Sequence, residues 1–270
     1  MLNQLKLQQG LPIEIKIKDR VISRDNFTII AGPCTIENYD DLKEIALELK
    51  TLGISFLRGG AFKMRTSPYS FQGLGIIGLE YMQQVCQETG LISVSEIVSL
   101  EDIDIMVEYI DILQVGTRNM QNYRLLKKLG KTNKPILLKR GMSNTIEEWL
   151  FAAEHILAEG NSKVILCERG IRTFETQTRN TLDISAIPLI HNLSDLPVIV
   201  DPSHSSGRKD LIKPLSLAAA AVGAEGLMIE THFSPTETKC DSEQTITIQK
   251  FRELLEPLKQ IISIWKKSLN

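Results

Sequence analysis

"PILLKRGMSNTIEEWLFAAEHILAEGNSKVILCERG", residues 135–170, contains a complete strand–helix–strand passage. "PILL" and "KVILC" are short, nearly continuous apolar runs, as parallel strands buried on both faces require. Between them Trp149, Ala152, Ala153, Ile156 and Leu157 fall at i, i+3, i+4, i+7 and i+8 and form one apolar stripe. Gly160 stops that helix. Both strands then run into cations, "LKRG" and "CERG".

The passage repeats in both directions. Strands are predicted at 27–34 ("FTIIAGPC"), 54–60 ("ISFLRGG"), 91–97 ("LISVSEI"), 111–117 ("DILQVGT"), 135–141, 163–170, 197–204 ("PVIVDPSH") and 226–232 ("GLMIETH"). Helical patterns such as "YDDLKEIALELKTLG" and "GLEYMQQVCQETG" lie between them and end at Gly53 and Gly90. Eight such units in 270 residues predict a single α/β domain, a (β/α)8 TIM barrel over 27–270. A doubly wound open sheet is the alternative, because periodicity alone does not show closure. Ahead of the barrel, "IEIKIKDRVISRD" alternates apolar and polar residues about a turn at Asp19-Arg20. It predicts a short N-terminal β-hairpin, within an extension of residues 1–26, that covers one end of the barrel.

Composition narrows the function. The net charge of −2 provides no global attraction for nucleic acid or an acidic membrane. No apolar run reaches spanning length, and the first residues lack the apolar core of a signal peptide. Cysteines 34, 86, 167 and 240 include no CxxC pair, so a reduced, cytoplasmic setting is expected.

Active sites of such barrels lie at the C-terminal ends of the strands. There this sequence places Cys34, Arg58 (leading into Lys63 and Arg65), Glu96, Arg118, Lys139, Arg169, the pair Asp201 and His204, and Glu230 with Asp241 in the loop beyond. So many cations at one mouth of a slightly acidic chain imply a substrate bearing phosphate or carboxylate groups. Cys34, His204, Glu230 and Asp241 become neighbours once the barrel closes. A thiolate, an imidazole and two carboxylates suit one divalent metal ion, with Mn, Fe, Co and Zn all compatible.

The motifs "AGPC", "LRGGAFKMRTSPYSFQGLG", "GTRNMQN", "LLKRG", "EGNSKVILCERGIRTFE" and "VIVDPSHSSGR" resemble the 3-deoxy-7-phosphoheptulonate (DAHP) synthases, in the short barrel-only branch related to the 3-deoxy-octulosonate 8-phosphate (KDO8P) synthases. The resemblance covers about residues 27–245. It implies condensation of phosphoenolpyruvate with erythrose 4-phosphate, the first step of the shikimate pathway. It also implies metal ligation by Cys34, His204, Glu230 and Asp241, where metal-independent KDO8P synthases carry Asn in place of the Cys. Arg58, Lys63, Arg118, Lys139 and Arg169 match positions that hold phosphoenolpyruvate, and Lys63, Arg65 and Thr66 match the loop that receives the aldose phosphate. Lys63, Glu96 and water at the metal are the candidates for handling the water proton. "KMRTSP" in place of a "KANRSS"-like stretch favours the four-carbon sugar over arabinose 5-phosphate.

Two departures stand out: Met64 where the pattern has Pro, and Cys240 beside Asp241. The resemblance further implies a homodimer or homotetramer. With only 26 residues before the first barrel strand, no fused regulatory domain is expected, so any feedback control would come from a separate regulatory partner chain. The alternatives are a KDO8P synthase or paralogue using another aldose, and an inactive barrel acting as a binding subunit. A metal-dependent hydrolase is disfavoured because the first strand ends in Gly-Pro-Cys instead of a His pair.

Overall fold

The computed structural model describes residues 13–269. Eight parallel strands alternate with helices and close on themselves. They are β3 (Asn26–Gly32), β4 (Phe56–Arg58), β5 (Ile92–Ile97), β6 (Ile112–Val115), β7 (Ile136–Lys139), β8 (Val164–Glu168), β9 (Val198–Val200) and β10 (Gly226–His232). Each pairs with the next, and β10 pairs with β3 from Gly226↔Thr28 to Glu230↔Gly32. That last ladder rules out the open sheet and makes the fold a (β/α)8 TIM barrel.

The helix read from Trp149 to Leu157 spans Ile146–Leu157. It starts where the sequence allows two orphan N–H groups to be satisfied at once. The Thr145 side chain accepts from the Glu148 N–H, and the Glu148 carboxylate accepts from the Thr145 N–H. Its stripe packs on the barrel, with Leu150 buried and Leu157 left half-buried at the edge. Trp149 keeps its indole N–H satisfied by donating 3.2 Å to Leu138 O.

Strand alternation separates two cores. Along β8, Val164 and Leu166 face the helices, while Ile165 and Cys167 join Ile30, Phe56, Val94, Ile112, Leu137, Ile199 and Met228 inside the barrel. Two residues further along, the same parity brings Arg58, Glu96, Gln114, Lys139, Arg169, Asp201 and Glu230 to the upper end of seven strands, while β3 reaches Gly32. The interior is therefore apolar below and charged above.

The lower end is closed by the hairpin of β1 (Ile15–Ile17) and β2 (Arg20–Ile22), whose Ile15, Ile17 and Ile22 belong to the barrel-interior core. Its turn is Lys18-Asp19, one residue earlier than the alternation indicated. Ile17 pairs with Arg20, and Lys18 takes a positive φ of 52°. Lys18 Nζ reaches Asp111 Oδ2 at 2.8 Å, just below β6. Residues 1–12 of the expected extension lie outside the described residues.

A second correction falls at the seventh barrel strand. β9 stops at Val200, and "PSHSS" forms a short helix (Pro202–Ser206) instead of prolonging the strand to 204. Asp201 caps that helix by accepting from the His204 N–H, and Pro202 at its first turn has no N–H to lose.

Candidate active site

The upper end of the barrel holds a cavity of about 270 Å³. Lys63, Arg65, Arg118, Lys139, Arg169 and Arg179 line it. Its carboxylates are Glu96 and Asp241, and Thr66 and His204 also belong to the polar wall. Of the residues expected here, Arg58, Cys34 and Glu230 lie beneath this wall. Arg58 is buried, with Nη1 3.0 Å from Glu230 Oε1 and Nη2 donating 3.2 Å to Cys34 O. Burial works against the Arg58 charge, but Glu230 and the other acidic groups outweigh it and raise its pKa.

The loop from Lys63 to Leu74 closes over this floor. Lys63 N donates to Gln72 O at 2.8 Å, and Arg118 Nη1 donates to Met64 O at 3.4 Å. Gly73 makes the return turn with φ 98°, where a Cβ would collide with Ala61 O. Lys63 Nζ then reaches Cys34 Sγ at 2.8 Å and Asp241 Oδ2 at 3.5 Å.

Cys34 Sγ, a ring nitrogen of His204 and carboxylate oxygens of Glu230 and Asp241 all lie within 4.8 Å of one another. The cluster is assembled by four separate devices. Asp201 Oδ2 accepts from His204 Nδ1 at 2.7 Å and from Lys139 Nζ at 2.6 Å. An ionised Asp accepts only, so Nδ1 is the donor to Asp201, and Nε2 on the far side of the ring lies 3.0 Å from Glu230 Oε1. Glu230 Oε2 is held by Gln244 Nε2 at 2.6 Å. Asp241 sits at φ 55°, a left-handed position that Asp tolerates better than most residues, and Cys34 Sγ donates 2.9 Å to its Oδ2.

The electrostatics fit a cation. Burial pushes the Cys34 thiol well above its ordinary value, Glu230 adds to this, and Lys63 opposes it. Burial also opposes ionisation of Glu230 and of Asp201, yet His204 and the neighbouring cations together outweigh it in both. Arg58 helps at Glu230 and Lys139 at Asp201, and both carboxyls fall well below the usual range. Glu230 Oε1 is buried with no aligned hydrogen-bond donor, its contact with Arg58 being ionic only. A buried carboxylate oxygen without an aligned donor, beside an imidazole nitrogen, a thiol and a second carboxylate, is what one divalent ion would satisfy, displacing the thiol proton as it binds. The S, N, O, O donor set accepts several first-row ions and does not choose among them.

Sequence reasoning did not find Arg179 or Gln244. Arg179 comes from the long exposed loop after β8, and its Nη1 lies 3.6 Å from Asp241 Oδ1 and donates 3.0 Å to Gln244 Oε1. No strand end or periodicity marks either residue. Asp201 was visible at a strand end, but its double grip on His204 and Lys139 requires the fold.

A family model described as the DAHP synthetase I family matches residues 11–267. The phospho-2-dehydro-3-deoxyheptonate aldolase of Thermotoga maritima is 53% identical over 247 residues, 92% of this chain and 73% of that protein. The crystal structure of a Thermotoga maritima DAHP synthase superposes with a TM-score of 0.94 at 51% identity, covering 96% of this chain and 76% of that one. More distantly, the 2-dehydro-3-deoxyphosphooctonate aldolase of Geobacter sulfurreducens is 30% identical, covering 94% of this chain and 99% of that protein.

Proposed function

Because the chain belongs to the DAHP synthetase I family, we propose that it condenses phosphoenolpyruvate with erythrose 4-phosphate and water, giving 3-deoxy-D-arabino-heptulosonate 7-phosphate and inorganic phosphate. The observation that carries this reading is one cavity walled by Lys63, Arg65, Arg118, Lys139, Arg169 and Arg179 directly above a four-donor metal cluster. Two phosphates and a carboxylate need that many cations, and holding two anions together in reactive geometry is itself a large part of the rate enhancement.

In this reading Lys63, Arg118, Lys139 and Arg169 hold phosphoenolpyruvate, and Arg58 acts from below by fixing Glu230. Arg65 and Thr66 receive the sugar phosphate. Held by Cys34, His204, Glu230 and Asp241, a divalent ion supplies Lewis acidity toward the aldehyde. C3 of phosphoenolpyruvate forms the new C–C bond to the aldehyde carbon, the developing positive charge at C2 takes up water, and the C2–O bond to phosphate breaks. Glu96 is the cavity carboxylate outside the metal cluster. Gln114 Nε2 orients it at 3.3 Å, and it packs where a side chain at Gly116 would collide with it. We assign it the water proton, and Glu96→Gln is expected to lower kcat by about 10²–10⁴-fold.

The same reading takes the protein to be a cytoplasmic homo-oligomer. Among the described residues no helix is long and apolar enough to cross a membrane. The 30% identity to an octonate aldolase makes the sugar the discriminating variable. Phosphate release is measured with erythrose 4-phosphate and with arabinose 5-phosphate. Preference for the four-carbon sugar is expected, and preference for the five-carbon sugar would transfer the chain's activity to the octulosonate reaction.

A further inference from the structure

Cys240 has no place in the chemistry above, yet it is buried at 2% exposure, next in sequence to the cavity-lining Asp241. Arg65 Nη1 donates to its Sγ at 2.8 Å, which is the one hydrogen bond of the Arg65 guanidinium among the described residues. The sulfur's position is set without Arg65. Cys240 O accepts from Thr238 Oγ1 at 3.1 Å, and Lys239 N donates to Glu37 Oε1 at 2.7 Å. On the other side Thr245 Oγ1 donates to Asp241 O at 2.9 Å. One end of the contact is therefore anchored, and the other is a long side chain on a loop.

We propose that Cys240 is a positioning residue for the aldose phosphate, holding Arg65 at the cavity wall with its remaining N–H donors left for phosphate oxygens. This rests on the functional reading above. The choice of partner has a chemical consequence. Cysteine sulfur is a weak acceptor, so it orders the guanidinium with little competition for the dianion that the guanidinium must bind. A carboxylate there would form an ion pair that the substrate has to break. Because Met64 replaces the stiffer proline next to Arg65, the sulfur contact supplies from a second loop some of the order that the backbone at Arg65 lacks. It also ties the sugar-binding arginine to the residue preceding the metal-cluster carboxylate Asp241.

The test separates the two substrates. Freeing one rotamer-rich side chain is expected to raise KM for erythrose 4-phosphate about two- to tenfold in Cys240→Ala, with KM for phosphoenolpyruvate and kcat within about twofold. Cys240→Ser, which restores an acceptor, should bring KM for the sugar back toward wild type. Equal rises in both KM values, an unchanged sugar KM, or an alanine defect that serine does not relieve would each overturn the inference. Calorimetric titration with erythrose 4-phosphate reads the same contact without turnover, and Cys240→Ala should bind it more weakly by the same factor. If the wild type shows no turnover, the functional reading fails. Equal affinities of wild type and Cys240→Ala, or no binding to either, overturn the positioning role separately.

Discussion

Two buried glutamates stand five residues apart at the two ends of β10, in almost the same company. Glu225, at the lower end, has His191 Nε2 3.0 Å from Oε2 and Lys267 Nζ 2.9 Å from Oε1. Glu230, at the upper end, has His204 Nε2 and Arg58 Nη1 each 3.0 Å from Oε1. The difference lies in what else reaches them. Glu225 Oε2 also accepts from Val198 N at 2.9 Å, and Lys267 spends its remaining donors on Gly223 O and Ala224 O, so the lower cluster is closed. At the upper cluster Glu230 Oε1 and Arg58 Nη1 are buried without an aligned partner, and a thiol and a second carboxylate crowd the same point. A carboxylate flanked by a histidine and a cation is therefore not in itself a functional signature. The unsatisfied atoms distinguish the site from the scaffold.

That contrast can be broken by exchanging the outcomes of matched substitutions. The largest effect is expected at the upper end. Asp241→Asn keeps the side-chain shape and tolerates the φ of 55°, so the melting temperature should hardly move. Turnover should fall by more than about 100-fold, since even outer-shell partners of a metal are worth 10–100-fold. At the lower end the signs reverse. Glu225→Ala leaves Lys267 and His191 without their buried partner and should cost about 3 kcal/mol in denaturant unfolding, with kcat nearly unchanged at 25 °C.

Acid sharpens the lower half of the comparison. Burial opposes ionisation of Glu225, but the hydrogen bond from His191 and the charge of Lys267 outweigh it and hold its pKa below the ordinary value. A depressed folded pKa contributes stability above the unfolded value of about 4.3, and that contribution is lost as the pH falls through the folded value. The stability gap between wild type and Glu225→Gln should therefore be widest above about pH 5 and should close on acidification. A gap that widens in acid would contradict the assignment. The smallest effect is expected at the hairpin. Lys18→Ala removes a half-exposed ion pair to Asp111 and should cost less than about 1 kcal/mol, because the plug is held by Ile15, Ile17 and Ile22.

How much of this the sequence disclosed follows from periodicity. Each barrel strand is a continuous apolar run, so the strands and the residues at their upper ends were legible. The alternation of 13–25 likewise announced the hairpin. Closure was not legible, because a ladder such as Gly226↔Thr28 joins residues nearly two hundred apart with no local mark. The end of β9 was misread because "DPSH" continues an apolar run, while Pro202 and the Asp201 cap turn it into helix. Strand-end position grouped Cys34, His204, Glu230 and Asp241, and motif resemblance implied the same ligand set. It could not show that Arg58 lies beneath the cavity, since a strand-end arginine reads the same whether it faces the cavity or a buried carboxylate. Arg179 and Gln244 were illegible for a simpler reason: loop residues carry no period, and only the fold brings them to Asp241.

The central claim is that the cation-lined cavity and the four-donor cluster form one active site. It is tested most directly by measuring phosphate release from phosphoenolpyruvate with erythrose 4-phosphate before chelation, after chelation, and after adding Mn²⁺ back, for wild type and Asp241→Asn. The account predicts release that disappears on chelation, returns with Mn²⁺ in the wild type, and does not return in the variant. Full activity in chelated, metal-free wild-type protein would contradict it.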